Sequence, residues 1–135
     1  SSDLALAGLP MAMTAHLVFA ALDPGLPATQ SPRMIRLIRE DIGFGGLLMT
    51  DDLNMQALAG TLSDRTARSM RAGCDIALHC KGDMAEMQAV ADAAGRMTVA
   101  TADRAAAALL RRRDPDTADI DALAVEFAAL TGLGA

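Results

Sequence analysis

Strand-length apolar runs alternate with segments of helical periodicity along this chain, and that alternation restricts its fold more than any other feature. Met11 to Phe19 (MAMTAHLVF) is a short apolar run of strand length, followed by the Pro- and Gly-rich stretch Asp23-Pro24-Gly25-Leu26-Pro27. Ser31-Pro32 then provides a helix N-cap with proline at the first helical position. Met34, Ile35, Ile38 and Ile42 recur at helical spacing, and Gly43 is placed to cap the end. Gly45 to Thr50 (GGLLMT) is apolar on both faces, as a parallel strand covered by helices should be. The pattern then repeats: a helix from Ser63-Asp64 through Met70 that stops at Gly73, and a third strand over Cys74–Cys80 (CDIALHC). Gly82-Asp83 leads into a helix with Met84, Met87, Val90 and Ala94 on one side, ending near Gly95. Thr101 to Arg113 and Asp119 to Leu130 read as two further helices.

Strand and helix in strict alternation predict an α/β fold with a parallel sheet joined by right-handed crossovers. Three such strands satisfy a small open sheet. They equally satisfy part of a (β/α)₈ barrel, which takes about 250 residues. With 135 residues the chain can bury a sizeable core, and no linker or low-complexity tract divides it. Periodicity alone leaves both architectures open.

Charge narrows the function classes. Twelve Lys and Arg against seventeen Asp and Glu give a net charge of −5, the wrong sign for nucleic acid or an anionic membrane. The single basic run, Arg111-Arg112-Arg113, is followed by Asp114 and Asp116 and reads as a solvated helix end. No apolar stretch reaches the roughly 18–20 residues of a membrane span. Ser1-Ser2-Asp3 carries none of the basic character that opens a signal peptide. Cys74 and Cys80, six residues apart on an extended segment, are expected about 20 Å apart, beyond disulfide reach. Two free thiols suit a reducing cytoplasm.

The sharpest local feature is Thr50-Asp51-Asp52 at the end of an apolar strand, because α/β folds carry reactive groups at the C-terminal ends of parallel strands. Neighbouring strand residues point to opposite sides, so Asp51 and Asp52 are not a facing carboxylate pair. If Leu47 and Met49 face the barrel axis, Asp51 shares their parity and projects into the mouth of the site. Asp52 then turns outward or caps the following turn, and capping alone would account for both aspartates. His16 lies near the end of its own apolar run, where a buried histidine bonded to a neighbouring carboxylate is the plainer reading. His79 holds the equivalent place on the third strand. His16, Asp51 and His79 at three strand ends raise the idea of a metal site. No HxH or HExxH spacing supports it. Gly43-Phe44-Gly45-Gly46 precedes a strand rather than following one, so it is a turn and not a phosphate cradle.

Several segments, in this order, resemble one family. Met13-Thr14-Ala15-His16, Ala21-Leu22-Asp23-Pro24, Pro27-Ala28-Thr29-Gln30-Ser31-Pro32 and Ile42-Gly43-Phe44-Gly45-Gly46 are similar to the later part of bacterial glycoside hydrolase family 3 β-N-acetylglucosaminidases. These are the NagZ-type β-hexosaminidases of peptidoglycan recycling. Thr50-Asp51-Asp52-Leu53-Asn54-Met55 looks like the family's S-D-D-L-S-M, with Thr50 and Asn54 in place of serines, and Ala72-Gly73-Cys74-Asp75 also matches. The likeness covers roughly residues 9 to 85; from Gly95 onward the chain carries no family motif.

The resemblance implies that residues 1–135 form the C-terminal portion of a (β/α)₈ TIM barrel, strands six to eight with their helices, plus C-terminal helices. It implies a retaining exo-β-N-acetylglucosaminidase acting on muropeptides of cell-wall recycling, with Asp51 as nucleophile, His16 near the sugar and no metal or organic cofactor. The family's K-H-F-P-G-H-G…D-S-H acid/base stretch has no counterpart here. The chain alone is therefore expected to be inactive, and to pair with the missing N-terminal barrel half or self-associate. Two other readings stand beside this one: a non-catalytic interaction module, and a metal-dependent α/β hydrolase using His16, Asp51 and His79.

Overall fold

The computed structural model describes residues 8–132. Three parallel strands, β1 (Met11–Met13), β2 (Leu47–Asp52) and β3 (Ile76–Leu78), form one sheet in the order β1-β2-β3. Each crossover carries a helix, so the α/β alternation expected from sequence is present. Between β1 and β2 runs α1 (Pro32–Arg36), whose last turn widens into a π-helical segment over Leu37–Asp41. Ser31 caps it by accepting from the Met34 amide at 3.0 Å. Between β2 and β3 runs α2 (Leu62–Ala72). Thr61 and Asp64 form a reciprocal capping box at its start, and Gly73 closes it at φ 113°. A Cβ on Gly73 would lie 2.9 Å from Ile35 Cγ2, so close helix packing as well as φ demands glycine. α3 (Met84–Ala94), α4 (Val99–Leu109) and α5 (Ile120–Thr131) follow, capped by Asp83, Thr98 and Asp119.

Both outer strands are shorter than their apolar runs. The Met11–Phe19 run is extended only over Met11–Met13, and its ladder to β2 ends where the Thr14 amide donates to Met49 O at 2.9 Å. Beyond that point Leu17, Val18 and Phe19 are exposed, and the chain turns at Phe19, whose carbonyl accepts from the Leu22 and Asp23 amides. The Cys74–Cys80 run is trimmed at both ends because its backbone is used elsewhere. The Cys74 amide closes α2 on Ser69 O, and the Cys80 amide donates to the Asp52 carboxylate. Two helices are also displaced from their expected bounds. α2 begins at Leu62 behind the Thr61 cap, and α4 begins at Val99 because Thr98 caps it, leaving Arg111–Arg113 beyond its end.

The core lies on one face of the sheet. Ile35, Phe44, Leu48, Ala72 and Cys74 pack together, with Ala12 and Ile38 against them. Leu48 is the pivot of this cluster, at 1% exposure between α1 and α2. Met11 and Met13 alternate onto the opposite face, where they are 40% and 52% exposed.

The N-terminal edge of the sheet is fastened by Asp75. Its carboxylate accepts from the Leu48 amide and the Thr101 hydroxyl, both at 2.9 Å, and pairs with Arg39 and Arg104. Arg39 also donates to Phe44 O and Gly46 O while lying over the Phe44 ring. One side chain thereby joins β2, α4 and the π-helical segment. Burial pushes the Asp75 carboxyl upward, but the Leu48 amide, the Thr101 hydroxyl and the two guanidiniums outweigh it and hold the group below the usual carboxylate range.

Candidate active site

β2 ends in a bulge, and the candidate residues sit around it. From Met49 to Asp52 the strand takes three steps against two on β3, from Ile76 to Leu78. The buried Thr50 side chain repairs the interrupted ladder: its hydroxyl accepts from the Leu78 amide at 2.9 Å. Asp51 therefore occupies an irregular, partly buried position at the C-terminal end of the central strand. One carboxylate oxygen accepts from the Asp52 amide at 2.8 Å. Its carboxylate joins no ion pair among the described residues.

Asp52 is the structural partner of Asp51. Its Oδ1 accepts from the Asn54 amide at 3.1 Å and from the Cys80 amide at 3.2 Å, so it caps the turn after β2 and ties it to the end of β3. Its backbone carbonyl accepts from the Met55 amide and from His16. Arg65, from α2, completes the loop by donating to Leu53 O, Met55 O and Gly60 O. The whole Thr50–Met55 motif is thus held from both sides by backbone contacts.

His16 is buried and fully engaged. Its Nε2 lies 2.9 Å from Asp52 O and its Nδ1 2.8 Å from Thr29 Oγ1. A carbonyl can only accept, so Nε2 carries a hydrogen; Nδ1 lies against the Thr29 hydroxyl, for whose single hydrogen it competes with Ala15 O. Thr29 is completely buried and also meets Thr14 Oγ1 at 2.9 Å and Ala15 O at 3.0 Å. With both nitrogens occupied within the protein, His16 holds the Asp52–Leu53 peptide in place. Its partner is a backbone carbonyl rather than the carboxylate a buried histidine more often finds.

His79 follows β3, with a side chain only 5% exposed. Its Nδ1 lies 4.0 Å from Asp52 Oδ1 and its Nε2 3.4 Å from Glu86 Oε2, on the first turn of α3. Among the described residues, no three His, Cys, Asp or Glu side chains converge as metal ligands must. His16 is committed to Thr29 and Asp52 O, and His79 turns to Asp52 and Glu86 rather than Asp51, which takes away the geometric basis for a His16–Asp51–His79 metal site.

Cys74 and Cys80 are both free thiols, the first buried and the second exposed. Burial pushes the Cys74 thiol up to about 12.

Thr29, Arg65 and Glu86 were not singled out as site residues by sequence reasoning. Thr29 had a signal, a polar residue between two helix-entry prolines; Glu86, three residues after the Asp83 cap, reads only as a favourable first-turn acid.

A half-buried carboxylate at the C-terminal end of a central parallel strand, on a loop held by hydrogen bonds to its backbone, lies where α/β folds place reactive groups. Residues 2–111 match the Glycosyl hydrolase family 3 N terminal domain, and the chain belongs to that family. It is 46% identical over 75 residues to a β-hexosaminidase of Alkalilimnicola ehrlichii, covering 53% of this chain and 21% of that protein. A β-hexosaminidase of Nitrosomonas eutropha is 35% identical over 75 residues, covering 54% and 22%. The chain thus spans about a fifth of the length of these relatives. Among solved structures, β-N-acetylhexosaminidase from Beutenbergia cavernae superposes at TM-score 0.60 with 29% identity, over 77% of this chain and 33% of that one. A glycoside hydrolase family 3 β-N-acetylglucosaminidase from Paenibacillus sp. str. FPU-7 superposes at 0.66 with 26% identity, over 87% and 26%. No helix among the described residues is long and apolar enough to cross a membrane.

Proposed function

We propose that this chain forms strands six to eight of the (β/α)₈ barrel of a retaining β-N-acetylhexosaminidase, with Asp51 as its nucleophile. The observation that carries this reading is the position of Asp51 in the β2 bulge, at the strand end where barrel enzymes place their chemistry. The exposed Met11 and Met13 support it, since they lie on the face away from α1 and α2 that would turn inward in a closed barrel.

In this mechanism Asp51 attacks the anomeric carbon while an acid protonates the departing oxygen, and water then displaces the sugar from the covalent glycosyl–enzyme. The Asp52 amide keeps one Asp51 oxygen oriented, and His16 holds the next peptide unit through the Asp52 carbonyl. The substrate class is a terminal β-linked N-acetylglucosamine on a muropeptide, taken in a cytoplasm that keeps Cys74 and Cys80 reduced.

No acid/base stretch is present in the sequence, so the upstream barrel segment provides that group and the chain alone is inactive. General acid–base catalysis is worth on the order of 10²–10⁴-fold. The test joins this chain to the upstream segment of the Alkalilimnicola ehrlichii relative and follows a chromogenic β-N-acetylglucosaminide. The reading requires turnover by the joined barrel and none by either part. Equal turnover by the chain alone refutes the need for the upstream segment.

A further inference from the structure

Around Asp52 the structure leaves one polar cluster that hydrogen bonding does not resolve. The His79 side chain is 5% exposed, yet neither ring nitrogen has a hydrogen-bond partner, and the facing Glu86 Oε2 is buried and equally unpartnered. Burying polar atoms without partners is costly, so such a cluster points to a state of the molecule that satisfies it.

The surroundings identify that state. Nδ1 faces Asp52 Oδ1 from β2 at 4.0 Å, and Nε2 faces Glu86 Oε2 from α3 at 3.4 Å. Lys81, in the β3–α3 connection, has its ammonium 3.0 Å from the other Glu86 oxygen, and Asp83, which caps α3, accepts from the Glu86 amide at 2.9 Å. Both groups facing the ring are carboxylates, which only accept. A neutral imidazole has one N–H and must turn a lone pair toward the other carboxylate. An imidazolium has two N–H donors for two acceptors.

We propose that His79 is a positioning residue that, in its doubly protonated form, clamps Asp52 to Glu86 and so draws the first turn of α3 onto the end of β2. The consequence for chemistry runs through Asp52. Its Oδ1 already fixes the Asn54 and Cys80 amides, and its own amide orients the Asp51 carboxylate. Closing the clamp tightens the strand end that presents Asp51; losing the proton frees α3 from it. The inference rests on the reading of Asp51 for its catalytic meaning. Its geometry stands on His79, Asp52 and Glu86 alone.

The test uses the full chain and no activity measurement, so it is independent of whether Asp51 is the nucleophile. Nitrogen NMR of the histidine rings, followed across pH, reports the protonation of His79, while backbone amide shifts report Asp51, Asp52 and Glu86. The clamp requires these three amides to follow the His79 ring through one shared transition, and His79→Phe to abolish that transition while the His16 ring signals stay in place. Glu86→Gln, which keeps the size of the side chain, must uncouple the α3 amide from the ring. Amides at Asp52 and Glu86 that ignore the His79 transition in the unsubstituted chain overturn the proposal, and that arm needs no variant to fold. An unchanged amide transition in a folded His79→Phe chain overturns it as well.

Discussion

The ring Nε2 of His16 donates to the backbone carbonyl of Asp52 across 2.9 Å, linking the segment after β1 to the end of β2, 36 residues further on. The same carbonyl accepts from the Met55 amide, so the turn that follows the candidate nucleophile is held by both lone pairs of one oxygen. Neither β1 nor β2 could keep this geometry alone.

Replacing His16 by Phe keeps the ring volume and removes both polar contacts. Thr29 and the Asp52 carbonyl then lose a buried partner, which is expected to cost about 1–3 kcal/mol in urea unfolding. The same variant should speed hydrogen exchange at the Met55 amide, which shares the Asp52 carbonyl, more than at Leu48 in the core. Equal protection at Met55 in both proteins would show that the carbonyl contact does not order the turn.

Asp75 makes the fold acid-sensitive. Its folded carboxyl is held below the unfolded value of about 3.9, so its stabilisation is fully present above pH 4 and is lost as pH falls through the lower folded value. Asp75→Asn should remove that part of the acid sensitivity. It also leaves Arg39 and Arg104 without their shared carboxylate, at a cost on the order of 2–4 kcal/mol at neutral pH. Urea midpoints at pH 3 and pH 7 for both proteins check this: the gap between them should shrink at pH 3.

The two thiols should separate cleanly in reactivity. Cys80 is exposed, whereas Cys74 is buried, donates to Thr29 O and is pushed up to about 12. A thiol-specific chromogenic reagent at pH 8 should modify one cysteine rapidly and the second only on unfolding. Peptide mapping should place the fast adduct on Cys80; rapid labelling of Cys74 in the folded chain would contradict the packing of the core.

The alternation of strands and helices was legible because it rests on local signals: periodicity, capping residues such as Ser31 and Asp83, and glycine at Gly73. Strand lengths were not. Apolar character extends over Met11–Phe19 and Cys74–Cys80, but a strand also needs backbone partners. In the second run the Cys74 and Cys80 amides at its two ends go to Ser69 O and the Asp52 carboxylate. Asp51 and Asp52 stood out from their place after an apolar run, and the capping role weighed for Asp52 is the one it performs. The contacts of His16 and His79 were hidden because their partners, Thr29, a backbone carbonyl and Glu86, come from segments that only the fold brings together. Asp75 was visible as part of a motif but not as a junction, since its arginines lie 36 and 29 residues away.

The role of Asp51 is tested most directly by trapping the covalent intermediate. The barrel completed with the upstream segment of the Alkalilimnicola ehrlichii relative is treated with a slow 5-fluoro N-acetylglucosaminyl donor, and its proteolytic peptides are weighed. The account predicts a single sugar adduct on the peptide containing Asp51, absent from the Asp51→Asn protein along with turnover. An adduct on any other residue, or undiminished hydrolysis by Asp51→Asn, would contradict it.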